Sequence, residues 1–315
     1  MKSFVTLMLC LLSMTTFAQV HDEISSAMEE FDYDKVINLI SPSTKDSLLL
    51  STRIQALKAM NRYPEAIVDL TSLFVKDTTD TKILIDLAEC YKLMGSPRQA
   101  ADYYRKAVSL RPNNKFFRLQ YIRSLLNAEN FKEARDACHG WLEQDTVSAT
   151  GYKYLGQAYE GMQDIPNAFF SYNVAYRRDS LDAQTVARIA NIFNNNRQFT
   201  DAIDVTECYR LSDTTSVDVN RQNAKAYCML KDYKKAIERY ESLKRMGDRS
   251  FLTFYYLGIS YYGDNWFYGS YDNLKEAYAK NSTDINVLYY YAKSCSRTSW
   301  TVSYTHLTLP TTERV

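Results

Sequence analysis

The amino-acid sequence predicts an all-α protein, a solenoid of helix-turn-helix units with a 34-residue period. The 315 residues include only 9 Gly and 6 Pro, whereas an all-β sandwich or barrel needs turn residues about every 8–12 positions. Alanine recurs at equal intervals along the chain, and Ser270 continues the series formed by Ala66, Ala100, Ala134, Ala168, Ala202 and Ala236. A fixed period of this length is typical of helical repeat proteins.

Each unit is expected to contain two antiparallel helices, A and B, joined by a short turn. One face of a helix carries the positions i, i+3, i+4 and i+7, which in the fourth unit are Tyr152, Leu155, Gly156 and Tyr159. A small residue twelve positions before the alanine lets the two helices approach closely, and a large residue three positions before it fills the crossing. Residues of the helix-capping types lie between units, at Thr78, Thr146, Ser180, Thr214, Asp248 and Ser282.

This pattern resembles the tetratricopeptide repeat over roughly residues 47–300. The resemblance implies a right-handed superhelix with seven complete units, at residues 47–80, 81–114, 115–148, 149–182, 183–216, 217–250 and 251–284. Residues 285–301 then begin a truncated eighth unit, and residues 19–46 form a degenerate first repeat or an N-terminal cap. The sequence departs from the family pattern at Ile122, where a small residue is usual, at Trp141, where alanine is preferred, and at Asn223, an aliphatic position.

Residues 1–18 predict a signal peptide. Lys2 precedes an apolar run at residues 4–14 that is too short to span a bilayer, and the small residues Thr16 and Ala18 stand before a cleavage point at Gln19. The signal resembles those of Bacteroidota. We therefore expect an exported protein, periplasmic or secreted, from a Gram-negative bacterium.

Residues 302–315 resemble a translated sequencing adapter rather than native protein. Such segments do not belong in fold reasoning. We expect native sequence to stop near Thr301 and the chain to be a fragment.

Composition and motifs argue against most chemical activities. With 38 Lys and Arg against 37 Asp and Glu, the chain has no charge excess that would attract nucleic acid. It contains no glycine-rich phosphate loop and no closely spaced His and Cys ligands for a metal. We therefore predict a non-enzymatic protein without a cofactor or metal and without a membrane span in the visible mature chain.

Binding is the function that the resemblance implies. In the tetratricopeptide family the A helices line a concave face that binds a protein or peptide. Carried onto this sequence, that face predicts eight candidate partner-binding residues, namely Lys153, Gln157, Asn191, Asn194, Arg221, Lys225, Tyr255 and Tyr262. The family's carboxylate clamp for chaperone tails is not matched, because Asp218 stands where that clamp has a basic residue.

Two other functions remain open at this level. One is the periplasmic sensor half of a truncated transmembrane regulator, whose cytoplasmic output domain would follow the repeats. The other is an accessory protein of glycan uptake, which is weakened because Cys10 lacks the small preceding residue of a lipoprotein signal.

Overall fold

The computed structural model describes residues 20–298, so the predicted signal peptide and the predicted non-native tail lie outside the described residues. Within residues 20–298 all regular secondary structure is helical. The chain divides into two compact halves, with described residues 20–143 in the N-terminal half and 144–298 in the C-terminal half.

The N-terminal half begins with a helical stretch at residues 20–29. It continues with α1 (Tyr33–Leu39), α2 (Ser47–Ala59), α3 (Tyr63–Lys76), α4 (Thr81–Leu93), α5 (Pro97–Leu110), α6 (Lys115–Asn127) and α7 (Phe131–Leu142). The C-terminal half contains α8 (Ala149–Gly161), α9 (Ile165–Arg178), α10 (Ala183–Asn195), α11 (Phe199–Arg210), α12 (Val217–Met229), α13 (Tyr233–Arg245), α14 (Phe251–Gly263), α15 (Phe267–Lys280) and α16 (Ile285–Arg297). The even-numbered helices are the A helices, and the odd-numbered helices from α3 onward are the B helices.

Every A helix begins at a polar cap that recurs with the period of the repeat. In each case the side chain accepts a hydrogen bond from a backbone N–H group of the first turn, which satisfies a donor that the helix itself leaves unpaired. These residues are Asp46, Asp80, Asn114, Ser148, Asp182, Ser216, Ser250 and Asp284. The prediction of caps at positions such as Thr78 and Asp248 was therefore wrong, because the capping residue lies two positions further along the chain.

The turn between the A and B helices of each repeat has one backbone geometry throughout. A residue with φ between 57° and 71° lies just after each A helix from α2 to α14, and it is glycine only once among Asn61, Gly95, Glu129, Gln163, Arg197, Lys231 and Asn265. The next N–H group bonds back to the last helical turn, as in Asp164 N to Tyr159 O at 2.9 Å. Phe31 (φ 60°) and the bond from Asp32 N to Ala27 O repeat this turn before α1.

Close contact between the two helices of a repeat depends on matched side-chain sizes. A Cβ atom added to Gly156 would lie 2.6 Å from the ring of Tyr172, and one on Gly258 would lie 2.5 Å from Cγ of Leu274. Both pairs join the same two positions of the repeat. At these positions the third repeat has the large Ile122 and the small Cys138, both fully buried. The departure at Ile122 is thus offset by a smaller residue at the facing position.

Asn223, another departure from the family pattern, is fully buried, and both its amide nitrogen and its amide oxygen form hydrogen bonds. Its Nδ2 donates to Thr206 Oγ1 at 2.9 Å and to Glu207 Oε1 at 3.0 Å. Its Oδ1 accepts from Arg239 Nε at 3.2 Å. Because the buried amide is fully paired, the polar residue carries little of the usual desolvation cost.

Gly156→Ala tests the helix crossing, with Gly140→Ala as a matched control. Gly140 is exposed on α7, and an added Cβ atom would meet nothing within 4 Å. We expect Gly156→Ala to lower the free energy of unfolding, because overpacking costs about 1–3 kcal/mol and outweighs the gain in helix propensity. In the control Gly140→Ala the free energy of unfolding should rise by about 0.5–1 kcal/mol, because alanine has the higher helix propensity. Urea unfolding measures the free energy of unfolding of both variants. An equal rise in Gly156→Ala and Gly140→Ala would contradict the close contact at the crossing.

Candidate functional site

The eight candidate residues all lie on A helices of the C-terminal half. Lys153 and Gln157 are on α8, Asn191 and Asn194 on α10, Arg221 and Lys225 on α12, and Tyr255 and Tyr262 on α14. Consecutive A helices from α10 to α16 contact one another directly. Together α8, α10, α12, α14 and α16 form a surface that we call the A face.

Lys153 is held by the beginning of the next repeat. Its Nζ atom lies 3.0 Å from Asp182 Oδ1. Asp182 caps α10 and also accepts hydrogen bonds from the backbone N–H (2.9 Å) and the hydroxyl (2.6 Å) of Thr185. Burial opposes ionisation of Asp182, but the bonds from Thr185 and Lys153 lower the pKa of this carboxyl below its usual range. Lys153 therefore connects α8 to the first turn of α10.

Arg221 makes the corresponding connection two repeats later. Its Nη2 atom lies 2.9 Å from Oδ2 of Asp248, whose side chain is only 5% exposed. Thr253 Oγ1 donates to the same oxygen at 2.7 Å, and Ser250 N donates to Oδ1 at 2.9 Å. Burial opposes ionisation, yet these donors lower the pKa of Asp248. Arg221 also contacts Asp218 at 2.7 Å.

Asn194 is a buried link between A helices rather than an open contact residue. It is 4% exposed, and its Nδ2 donates to both the backbone oxygen and the side-chain oxygen of Gln222, each at 3.0 Å. Lys153, Asn194 and Arg221 thus connect neighbouring repeats. The sequence did not indicate these roles, because each partner belongs to the next repeat and is brought into contact only by stacking.

Gln157, Asn191 and Lys225 occupy the same position in three successive repeats and have few partners. Nε2 of Gln157 is buried without a hydrogen-bond partner among the described residues. Asn191 is half-buried and makes no side-chain hydrogen bond within residues 20–298. Lys225 is half-buried, and its Nζ reaches Asn195 Oδ1 at 3.3 Å. Burial lowers the pKa of Lys225, and within the described chain no carboxylate pairs with it.

Tyr255 and Tyr262 belong to an aromatic surface on α14 and α16. The ring of Tyr255 stacks on Phe251 at a centroid distance of 5.8 Å, and the ring of Tyr262 meets Tyr290 edge-on at 6.0 Å. Nζ of Lys293 lies 5.9 Å from the ring centre of Tyr262 and 4.4 Å from that of Tyr289, which is 53% exposed. Lys293 was missing from the candidates, although it lies two repeat periods after Lys225.

Grooves also lie away from the A face of the C-terminal half. One of about 700 Å³ runs along α13 and α15, with Phe254 and Tyr261 lining it and the 53% exposed Trp266 at its edge. The N-terminal half has a groove of about 560 Å³ lined by α2, α3 and α4. Its residue Lys58 is paired with Asp86 and Glu89, so part of its charge is neutralised internally.

Three further features of residues 20–298 are the ionisation of buried thiols, the placement of potential metal ligands and the length of the helices. Burial raises the pKa of the Cys90 and Cys228 thiols to about 11, which keeps both neutral at physiological pH. Within residues 20–298 no group of three His, Cys, Asp or Glu side chains is placed to hold a metal ion. In the same part of the chain no helix has the length and apolar character needed to cross a bilayer.

Asp248→Asn should lower the free energy of unfolding at pH 7 by about 1.5–3 kcal/mol, because it removes the charge that Arg221 and Thr253 bind. Asp218→Asn is the matched control, since Asp218 contacts the same guanidinium but its side chain is 73% exposed; its effect should be about 0.2–1 kcal/mol. Because the pKa of Asp248 is lowered by folding, its contribution is present above about pH 4 and disappears as the pH falls through the lowered value. Unfolding measured from pH 7 to pH 2 should therefore show the wild type and Asp248→Asn converging in acid. A constant difference down to pH 2 would contradict this linkage.

Known proteins resemble the chain in both sequence and fold. Residues 81–114 match the family model described as tetratricopeptide repeat. The DnaJ homolog subfamily C member 7 homolog of Dictyostelium discoideum is 34% identical over 137 residues, which cover 43% of this chain and 23% of that protein. The match thus spans about a quarter of the length of this curated relative.

Solved structures extend the resemblance to most of the chain. A tetratricopeptide repeat protein from Parabacteroides merdae is 13% identical, with a TM-score of 0.55, and the match covers 78% of this chain and 99% of that one. YrrB, described as a TPR protein with an unusual peptide-binding site, is 15% identical, with a TM-score of 0.51 over 61% of this chain and 98% of its own. Residues 81–114 thus match a tetratricopeptide repeat, and the chain has an all-α helical repeat fold similar to that of these solved structures.

Proposed function

We propose that the chain is a non-enzymatic scaffold that binds an extended segment of another protein along the A face. One observation carries this proposal, the row formed by Gln157, Asn191 and Lys225 at one repeat position. Other polar side chains of the same face, such as Lys153 and Arg221, are paired within the protein. The amide groups of Gln157 and Asn191 donate to no partner among the described residues, and the ammonium group of Lys225 has a single partner, an amide oxygen. Donors with unused capacity along one row favour a ligand that supplies acceptors.

The geometry of the row favours an extended ligand over a compact one. Each repeat contributes one side chain at the same helix position, so the donors follow one another along the stack rather than around a closed cavity. A peptide backbone offers a carbonyl acceptor at every residue and can follow such a row. The fold resemblance to YrrB is consistent with this mode of binding, since that protein is described as having a peptide-binding site.

A selection from a random peptide library, with peptides of about a dozen residues, tests the proposed function. Selected peptides should lose at least about tenfold in affinity for Asn191→Trp, because the added indole would cover the centre of the row. Glu238→Trp is the control, since Glu238 is an exposed residue on the B helix α13. Thermal unfolding followed by circular dichroism verifies that both variants are folded, and Asn191→Ala provides a smaller substitution. Equal binding to all the folded variants would show that the A face is not the binding surface.

We further propose that the scaffold works outside the cytoplasm, in the periplasm or the exterior. This rests on the signal-like pattern of residues 1–18, with Lys2, the apolar run and the small residues Thr16 and Ala18. Expression of the full chain in a Gram-negative host should give a mature protein beginning at Gln19, as measured by mass spectrometry of the purified protein. Fusing residues 1–18 to a phosphatase that is active only after export should give activity, whereas a fusion lacking them should not. A product that retains Met1 in the cytoplasm would contradict export.

A further inference from the structure

Cations of the A face fall into two groups. Lys153, Arg188 and Arg221 each bind a carboxylate of their own chain, with nitrogen–oxygen distances of 3.0, 3.0 and 2.9 Å. Within the described residues Lys225 and Lys293 have no such partner, and their contacts are an amide oxygen for Lys225 and tyrosine rings for Lys293. Arg297, the last residue of α16, also has no carboxylate partner among the described residues and lies over the ring of Phe267. These two lysines therefore carry positive charges that the carboxylates of the described chain do not neutralise.

The two lysines occupy one repeat position. They are separated by two repeat periods, and the same position in the repeat between them holds Ile259, which is half-buried. Tyr255 and Tyr262 lie about two helical turns apart on α14, each about one turn from Ile259. Along the stack the face thus presents a cation, an apolar aromatic surface and a second cation.

The spacing of this pattern matches one backbone conformation. The helices α12, α14 and α16 contact each other in sequence, and packed helices lie about 8–10 Å apart. The polyproline II helix advances about 3.1 Å per residue with three residues per turn, so residues i, i+3 and i+6 share one face at intervals of about 9 Å. A ligand in that conformation meets each A helix with the same side.

We propose that the A face binds an acidic protein segment in the polyproline II conformation, with carboxylates at positions i and i+6 that contact Lys225 and Lys293 and an apolar side chain at i+3 that contacts Ile259. This inference rests on the proposed function and specifies the chemistry of its partner. Electrostatic complementarity selects the acidic segment, and the tyrosines provide apolar contact area for the central residue.

The half-buried setting of Lys225 supports the same conclusion. A positive charge removed from water without a counter-ion is unfavourable, and burial indeed lowers the pKa of this ammonium group. A ligand carboxylate would return the lost stabilisation through a charge-assisted hydrogen bond. Lys293 is exposed and is expected to contribute less.

A designed peptide provides the test. The probe is fluorescein-labelled Pro-Pro-Glu-Pro-Pro-Leu-Pro-Pro-Glu-Pro-Pro with an amidated C-terminus, and its comparison peptide has Gln in place of both Glu. Fluorescence anisotropy with the full chain should show at least about tenfold tighter binding of the Glu peptide at low salt, with a preference that shrinks as salt rises. The free-acid form of each peptide distinguishes side-chain carboxylates from a chain terminus as the anionic group.

Matched variants assign the preference to the two lysines. Lys225→Met should weaken the affinity for the Glu peptide roughly tenfold, and Lys293→Met should weaken it about threefold. Lys280→Met is the control, because Lys280 is also exposed beside an aromatic ring, that of Phe254, but lies on the B helix α15. The Gln peptide should bind all three variants equally.

The outcomes separate this inference from the proposed function. Equal affinity for the Glu and Gln peptides, with both blocked by Asn191→Trp, would overturn the acidic segment while leaving peptide binding on the A face. If the free-acid peptides bind more tightly than the amidated ones whether they carry Glu or Gln, the face binds a chain terminus. That result would overturn the proposed contacts of two side-chain carboxylates. If no peptide, whether designed or selected from the library, binds the A face, both proposals are overturned.

Discussion

The close crossing of two helices within each repeat is the constraint on which the rest of the structure depends. At Gly156 the ring of Tyr172 occupies the place of a side chain, and in the third repeat Ile122 faces the smaller Cys138. Because a helix pair cannot bury its apolar faces alone, each pair is stable only when stacked against its neighbours. The A face is the surface that the stacked A helices then share, and consecutive A helices from α10 to α16 contact one another.

Stacking also determines which charges are available to a ligand. The carboxylates that cap or precede an A helix, Asp182 and Asp248, are already bound by backbone and hydroxyl donors of the following helix. A cation from the preceding repeat completes each site, as Lys153 and Arg221 do. Buried ion pairs often contribute little net stability, but removing one partner leaves an uncompensated charge. The charges of Lys153 and Arg221 are therefore paired with carboxylates between repeats, whereas those of Lys225 and Lys293 are not.

The fold could be predicted from the sequence because the same pattern of residue types recurs in every repeat. The alanine period predicts the helix pairs, and the left-handed turn residues follow the same period although only Gly95 among them is glycine. Helix starts were less well predicted. Residues such as Thr78 and Asp248 have the chemistry of a cap, yet Asp80 and Ser250 form the bonds. Residue type alone does not decide between two nearby polar positions; backbone geometry does.

The candidate site was harder to predict for a related reason. The repeat position of a residue indicates which face it lies on, but its partner comes from the next repeat and is set by packing. Lys153 and Lys225 are equivalent in the sequence as basic residues on A helices, and only the structure shows that the first is paired with Asp182. Specificity in such a fold is consequently not held in one pocket. It depends on which side chains of a row, from Gln157 through Lys225 to Lys293, keep hydrogen-bonding capacity that the stacking contacts do not use. A change at the boundary of one repeat can therefore alter the chemistry that the next repeat presents to a ligand.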